Sequence, residues 1–291
     1  VKGLPLVPRA IVGRVASRYV AGEKLEDALA VVERLSAEGA MATLDLLGEE
    51  VAERSKATAA ADEYVRMLDA IAARGLPANV SIKLTSLGLK IDTDFCRENA
   101  ERIVAAAAGH GNFVRIDMED HTTTDRTLAI YREIFTRHQN VGVVFQAYMR
   151  RTLADIAALP AAGANVRLCK GIYIEPRAVA WKGYETVRMN FLRALEKLLA
   201  AGVYVGIATH DEHLACGAVA LVDRLQVPRE RYEFQMLHGV DPELRQILIA
   251  GGHRLRVYVP YGRDWYPYST RRLRENPEVA THILKGMFGA R

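Results

Sequence analysis

Short runs rich in β-branched and aliphatic residues alternate with longer amphipathic segments, eight times along this chain, and no other feature restricts the fold as much. The strand-like runs fall at 42–47, 80–84, 113–118, 141–147, 165–168, 204–208, 232–236 and 255–260. Helical patterns between them cover 50–74, 95–108, 124–138, 177–201 and 212–225. Strands that alternate with helices build parallel βαβ units. Eight units in 291 residues predict an α/β fold, a (β/α)8 barrel of the TIM type, which needs roughly 250 residues. A doubly wound sheet would carry a Gly-rich phosphate loop after its first strand. Here Leu46-Leu47-Gly48-Glu49 follows that strand, and neither GxGxxG nor GxxxxGK occurs.

The leading residues do not fit a unit. Segments 8–20 and 24–37 read as two helices, with Gly22 and Gly39 as breaks. The expectation is an N-terminal helical arm over 1–38, packed outside a catalytic barrel over 39–291.

Composition then narrows the setting. With 39 Lys+Arg against 35 Asp+Glu, the net charge of +4 is too thin to argue for a nucleic-acid partner. Cys96, Cys169 and Cys216 are sparse and widely spaced, which suits a reducing cytosol better than a disulfide framework. No apolar stretch reaches ~18 residues, the length that spans a bilayer. Lys2, Pro5, Pro8, Arg9, Arg14 and Arg18 interrupt the opening segment, leaving no secretory signal region. The chain opens on Val1 rather than methionine, as a trimmed chain does. These features predict a cytoplasmic protein.

Side chains alternate between the two faces of a strand, so each strand can be split by parity. One set is aliphatic throughout: Leu44/Leu46, Val80/Ile82/Leu84, Val114/Ile116, Val166/Leu168, Val205/Ile207 and Leu255/Val257/Val259. These should face the helices. The opposite set is Thr43/Asp45, Ser81/Lys83, Arg115/Asp117, Asn165/Arg167, Glu233/Gln235 and Arg256/Tyr258. A barrel interior is normally filled by branched aliphatic side chains; this one is expected to carry charge. Buried ions must be paired, hydrated or bound to a ligand. Four cations against three anions on these faces, with Lys170, Arg271 and Arg272 nearby, point to an anionic ligand at the C-terminal mouth. An internal ion-pair network without a ligand is the plainer alternative.

Individual segments leave choices open. Lys83 reads either as a Schiff-base lysine or as one end of a structural ion pair. The run Asp117-Met118-Glu119-Asp120 is either a solvated loop or, through Asp117, part of the interior, where Lys83 or a C-terminal arginine would partner it. Metal binding lacks a second carboxylate cluster to support it. His210 and His213 form an HxxH without a third ligand, so no metal is expected; His210 reads as a ligand contact and His213 as the first turn of a helix. Lys170-Gly171 opens a loop where glycine lets backbone approach a ligand and lysine can neutralise phosphate. Tyr268, Arg271, Arg272 and Glu275 share one helix face by spacing. Paired arginines beside aromatic walls suit a small ligand that is apolar in its body and acidic at one end.

Several segments together resemble the flavin-dependent proline dehydrogenases of the monofunctional bacterial type. They are Ser81-Ile82-Lys83-Leu84, Ile116-Asp117-Met118-Glu119-Asp120, Val144-Phe145-Gln146-Ala147-Tyr148, Arg167-Leu168-Cys169-Lys170-Gly171-Ile172-Tyr173, Ala208-Thr209-His210-Asp211, 232–239, and 256–262 running on to Glu275. The resemblance implies a distorted barrel with its last helix over the mouth, non-covalent FAD, and oxidation of L-proline to Δ1-pyrroline-5-carboxylate by hydride transfer to flavin N5. This would be the first step of proline degradation. By motif, Lys83, Arg271 and Arg272 would bind the proline carboxylate, and Tyr173, Leu237, Tyr258 and Tyr268 would enclose its ring. Asp117 would hold the cation cluster, and Arg167 would sit beside the reactive flavin nitrogen. Met118, Gln146, Lys170, Gly171, Ile172, Thr209 and His210 match flavin-contacting positions. Electrons would pass to a membrane quinone, which implies transient contact with the inner membrane surface. Ile172 and Cys169 depart from the family's frequent alanine and valine, and larger side chains there would narrow the pocket. Competing readings are an aldolase that uses Lys83 and a non-catalytic proline or flavin sensor.

Overall fold

A computed structural model describes Gly13, residues 16–159 and residues 163–275, excluding the side chains of 271–275. Eight parallel strands close into a barrel in chain order: β1 (Met41–Leu46), β2 (Ala78–Ile82), β3 (Val114–Ile116), β4 (Val141–Gln146), β5 (Asn165–Cys169), β6 (Tyr204–Ala208), β7 (Tyr232–Leu237) and β8 (Leu255–Tyr261). Closure comes from β1 against β8, with Thr43 opposite Tyr258 and Asp45 opposite Pro260. The TIM-type barrel expected from the alternation is therefore present.

Among the described residues the helices are α1 (Leu25–Ala37), α2 (Arg54–Ala73), α3 (Thr93–Gly109), α4 (Thr124–Arg137), α5 (Thr152–Ala157), α6 (Tyr184–Ala200), α7 (Glu212–Arg224), α8 (Pro242–Ala250) and α9 (Trp265–Glu275). No helix among them is long and apolar enough to cross a membrane. The helix expected over 8–20 lies for most of its length outside the described residues. In α1, Leu25, Leu29, Val32 and Leu35 are buried and join the core shared with β1 and β8. The aliphatic sets of β1 to β8 lie in that same core, between strands and helices.

Local chemistry explains where helix boundaries depart from periodicity. α3 starts ahead of 95 because the Asp92 side chain accepts a hydrogen bond from the Phe95 N–H, capping the first turn. α2 starts only at Arg54 because the preceding backbone is used elsewhere. Glu50 adopts φ 56°, and the N–H groups of Glu50 and Val51 donate to Thr85. The largest departure is α6, which begins at Tyr184 rather than 177. Residues 177–183 instead form a strap: Arg150 N–H donates to Val179, Trp181 N–H donates to Tyr148, and Met149 bridges Ala180 in antiparallel fashion. A short α5 and a short α8 complete the ring, the latter capped by Asp241, whose carboxylate accepts from the Leu244 N–H at 3.1 Å.

Candidate active site

The inward face carries ions where most barrels carry aliphatic side chains. Asp45, Ser81, Lys83, Arg115, Asp117, Arg167, Glu233 and Gln235 are all buried. Two inward glycines make room for them. A Cβ on Gly142 would strike the Arg115 guanidinium, and one on Gly206 would strike the Gln235 amide. The strand parity thus sorts the two faces as the sequence predicts.

Asp117, just beyond β3, is the hub. Its Oδ1 accepts from Arg167 Nη1 at 2.6 Å and from Ser81 Oγ at 2.6 Å. Its Oδ2 accepts from the Tyr258 hydroxyl at 2.9 Å and lies 3.6 Å from Lys83 Nζ. Burial opposes ionisation, yet Arg167, Lys83 and the two hydroxyl donors outweigh it and hold this carboxyl below its ordinary range. The partner left open between Lys83 and a C-terminal arginine is thus chiefly Arg167. Lys83 donates to Asp45 at 2.6 Å and to Tyr258 at 3.1 Å. Burial works against its charge, but Asp45, Tyr258 and Asp117 overcome it and keep the ammonium well above its ordinary value. The Arg167 guanidinium also sits 5.2 Å from the Tyr258 ring centroid.

This cluster forms the floor of a cavity of about 660 Å³ at the C-terminal mouth. Asp117, Arg167, Lys83, Tyr173, Leu237, Tyr258 and Tyr268 line it, as do Met118, Gln146, Lys170, Gly171, Ile172, Thr209 and His210. Every site residue expected from the sequence is therefore in one place except Arg271 and Arg272. Those two lie in α9, whose Tyr268 lines the cavity, but their side chains fall outside the described residues. Cys169 also lines it, its thiol pushed up to about 11 by burial.

The cavity has a second polar end that sequence reasoning missed. Asp211 accepts from Arg188 at 2.7 and 2.9 Å, from the Tyr184 hydroxyl at 2.8 Å and from Lys170 at 3.2 Å. Burial opposes its charge, and these donors drive its carboxyl well below its ordinary range. Tyr184 and Arg188 stand one turn apart on α6, a spacing visible in sequence once that helix is placed. His210 Nε2 accepts from the Leu237 N–H at 2.8 Å, which ties the β6 and β7 ends together. Among the described residues no group of His, Cys, Asp and Glu could hold a metal ion.

Glu119 was the other omission. It is buried and binds Thr85 through both the backbone N–H and the hydroxyl, at 3.0 and 2.5 Å. Burial pushes its carboxyl up to about 7.

A closed parallel barrel with a charged cavity at the C-terminal mouth defines a barrel enzyme. Residues 28–283 match the family model described as proline dehydrogenase, and the chain belongs to that family. It is 40% identical over 278 residues to the proline dehydrogenase of Deinococcus radiodurans, covering 94% of this chain and 90% of that one. Proline dehydrogenase 1 of Bacillus subtilis (strain 168) is 38% identical over 272 residues at the same coverages. Among solved structures, proline utilization A from Bdellovibrio bacteriovorus, inactivated by N-propargylglycine, superposes with a TM-score of 0.84 at 23% identity. That from Corynebacterium freiburgense gives 0.80 at 21%. The superpositions cover 94% and 95% of this chain but only 34% and 32% of those longer chains, and they establish the shared fold.

Proposed function

We propose that this chain oxidises L-proline to Δ1-pyrroline-5-carboxylate with FAD held in the barrel mouth, and that the electrons pass on to a quinone at the membrane surface. The observation that carries the reading is the convergence of Lys83, Asp117, Arg167 and Tyr258 on one cavity in a chain that belongs to the proline dehydrogenase family.

The residues present fit the cofactor. Lys170 and Arg188 offer cationic donors for a pyrophosphate at one end, and Met118, Val144, Ile172 and Met236 offer apolar surface for a ring system. Bound FAD would supply a two-electron acceptor for hydride from the substrate. The chain's own groups do the rest. Lys83, joined by Arg271 and Arg272, would grip the proline carboxylate. Tyr173, Leu237, Tyr258 and Tyr268 would exclude water and hold the ring, fixing the carbon–hydrogen bond to be broken. Asp117 would hold Arg167 and Lys83 in place, so that Arg167 presents a preorganised positive charge where negative charge develops.

The aldolase alternative needs a neutral lysine nucleophile. The 2.6 Å ion pair to Asp45, which helps keep Lys83 protonated, weighs against it.

The deciding experiment is an absorption spectrum. The purified protein should be yellow, or take up added FAD, and should bleach when L-proline is added without oxygen. A colourless protein that does not take up FAD would overturn the reading. Reoxidation by a soluble quinone outrunning reoxidation by dioxygen would support the acceptor; the reverse order would refute it.

A further inference from the structure

Arg167 is held from two sides. Its Nη1 donates to Asp117 and, at 3.2 Å, to Ser81 Oγ. Its Nε donates to Gln235 Oε1 at 2.5 Å. Gln235 is buried, and its Nε2 donates to Glu233 Oε1 at 2.6 Å. Since arginine only donates and a carboxylate only accepts, these two bonds permit one orientation of the amide. Glu233 is fixed in turn by Arg256 Nε at 2.7 Å and by the Tyr204 hydroxyl at 2.8 Å. The result is a continuous chain along the barrel axis, buried from Asp117 at the mouth to Glu233 and ending on half-buried Tyr204 and Arg256 nearer the opposite end.

A separate observation shows that the barrel makes space for this chain. Gly206 on β6 stands in register with Arg167 on one side and Glu233 on the other. A side chain there would overlap the Gln235 amide. Glycine weakens a strand interior, and it marks a close approach of another group. Here the approaching group is the one that orients Arg167.

We propose that Gln235, oriented by Glu233, is a positioning residue that sets the plane of the Arg167 guanidinium and thereby its action on the reacting centre. With Nε and Nη1 both committed, the guanidinium cannot swing, and its charge stays where the cavity needs it. Removing the amide leaves Arg167 anchored at one edge only, while Lys83 and the aromatic walls keep their own partners. The effect should therefore fall on turnover rather than on substrate binding.

The role assigned to Arg167 rests on the function proposed above, so the test has two arms. In the first, Gln235→Met should lower kcat about tenfold with KM for proline within about twofold, and should shift the flavin midpoint potential to a more negative value. Gly206→Ala, which displaces the amide without changing its chemistry, should shift both in the same direction. Parent-like kcat and potential in both Gln235→Met and Gly206→Ala would overturn the proposal.

The second arm needs neither flavin nor proline. With 15N-labelled arginine, the Arg167 Nε–H should exchange with solvent at least about tenfold faster in Gln235→Met than in the parent. An unchanged rate would also overturn the proposal. Failure of the parent to take up FAD or oxidise proline would instead count against the functional reading, leaving this arm to judge the relay.

Discussion

Asp45 Oδ1 lies 2.6 Å from the Lys83 ammonium, while Asp45 Oδ2 has no hydrogen-bond partner among the described residues. The pair is buried, and the Tyr64 hydroxyl lies 3.4 Å from the same Asp45 oxygen. Removing one member of such a pair strands the other charge, which costs about 3–5 kcal/mol. Asp45→Asn and Lys83→Met should each lower unfolding free energy by that order. The double variant should cost clearly less than their sum. Urea denaturation of the four proteins checks this, and additive losses would refute the coupling.

Asp117 joins two cations and two hydroxyls, so its loss should be far worse than that of either hydroxyl. Asp117→Asn should reduce kcat/KM for proline about a hundredfold, whereas Tyr258→Phe, which removes hydroxyl bonds alone, should cost about tenfold. Steady-state kinetics decide between this order and its reverse.

Glu119 gives the protein a pH dependence of definite sign. Its carboxyl is raised from 4.5 to about 7 in the fold, so the folded state binds this proton more tightly than the unfolded chain does. Its contribution is full below pH 4.5 and is lost as pH rises through about 7. Glu119→Gln should abolish that loss. The stability difference, parent minus variant, should fall by on the order of 2–3 kcal/mol between pH 5 and pH 8.5. Urea unfolding at the two pH values measures it, and a constant difference would refute the assignment.

At the far end of the cavity, Lys170 is held by Asp211 and lies 4.8 Å from the Tyr184 ring centroid. Lys170→Met should weaken FAD retention about tenfold, with kcat at saturating FAD within about twofold of the parent. Flavin fluorescence on dilution reads the first quantity and an FAD-supplemented assay the second.

The barrel could be read from the sequence because strand periodicity is local. The run 204–208 coincides with β6, and the other strands differ at their ends by one or two residues. The interior was legible for the same reason, since parity alone put Asp45, Lys83, Asp117 and Arg167 on one face. Connections were harder. Residues 177–183 have a helical pattern, but their backbone is taken up by the 148–150 segment, a contact that periodicity does not report. Glu119 was hidden inside an acidic run that reads as solvated, and only the Thr85 contacts reveal it as buried. Asp211 was overshadowed by its histidine neighbours, its partners Tyr184 and Arg188 lying more than twenty residues away in sequence.

Gly142 and Gly206, which clear room for Arg115 and Gln235, also limit how this interior can evolve. An aliphatic core drifts one methyl group at a time, because neighbours can shuffle to absorb a change. A lattice of ions and amides threaded past bare backbone has no such slack. Variation along its axis should arrive in compensating sets, and the catalytic bowl should change character by rare coordinated jumps instead of gradual wear.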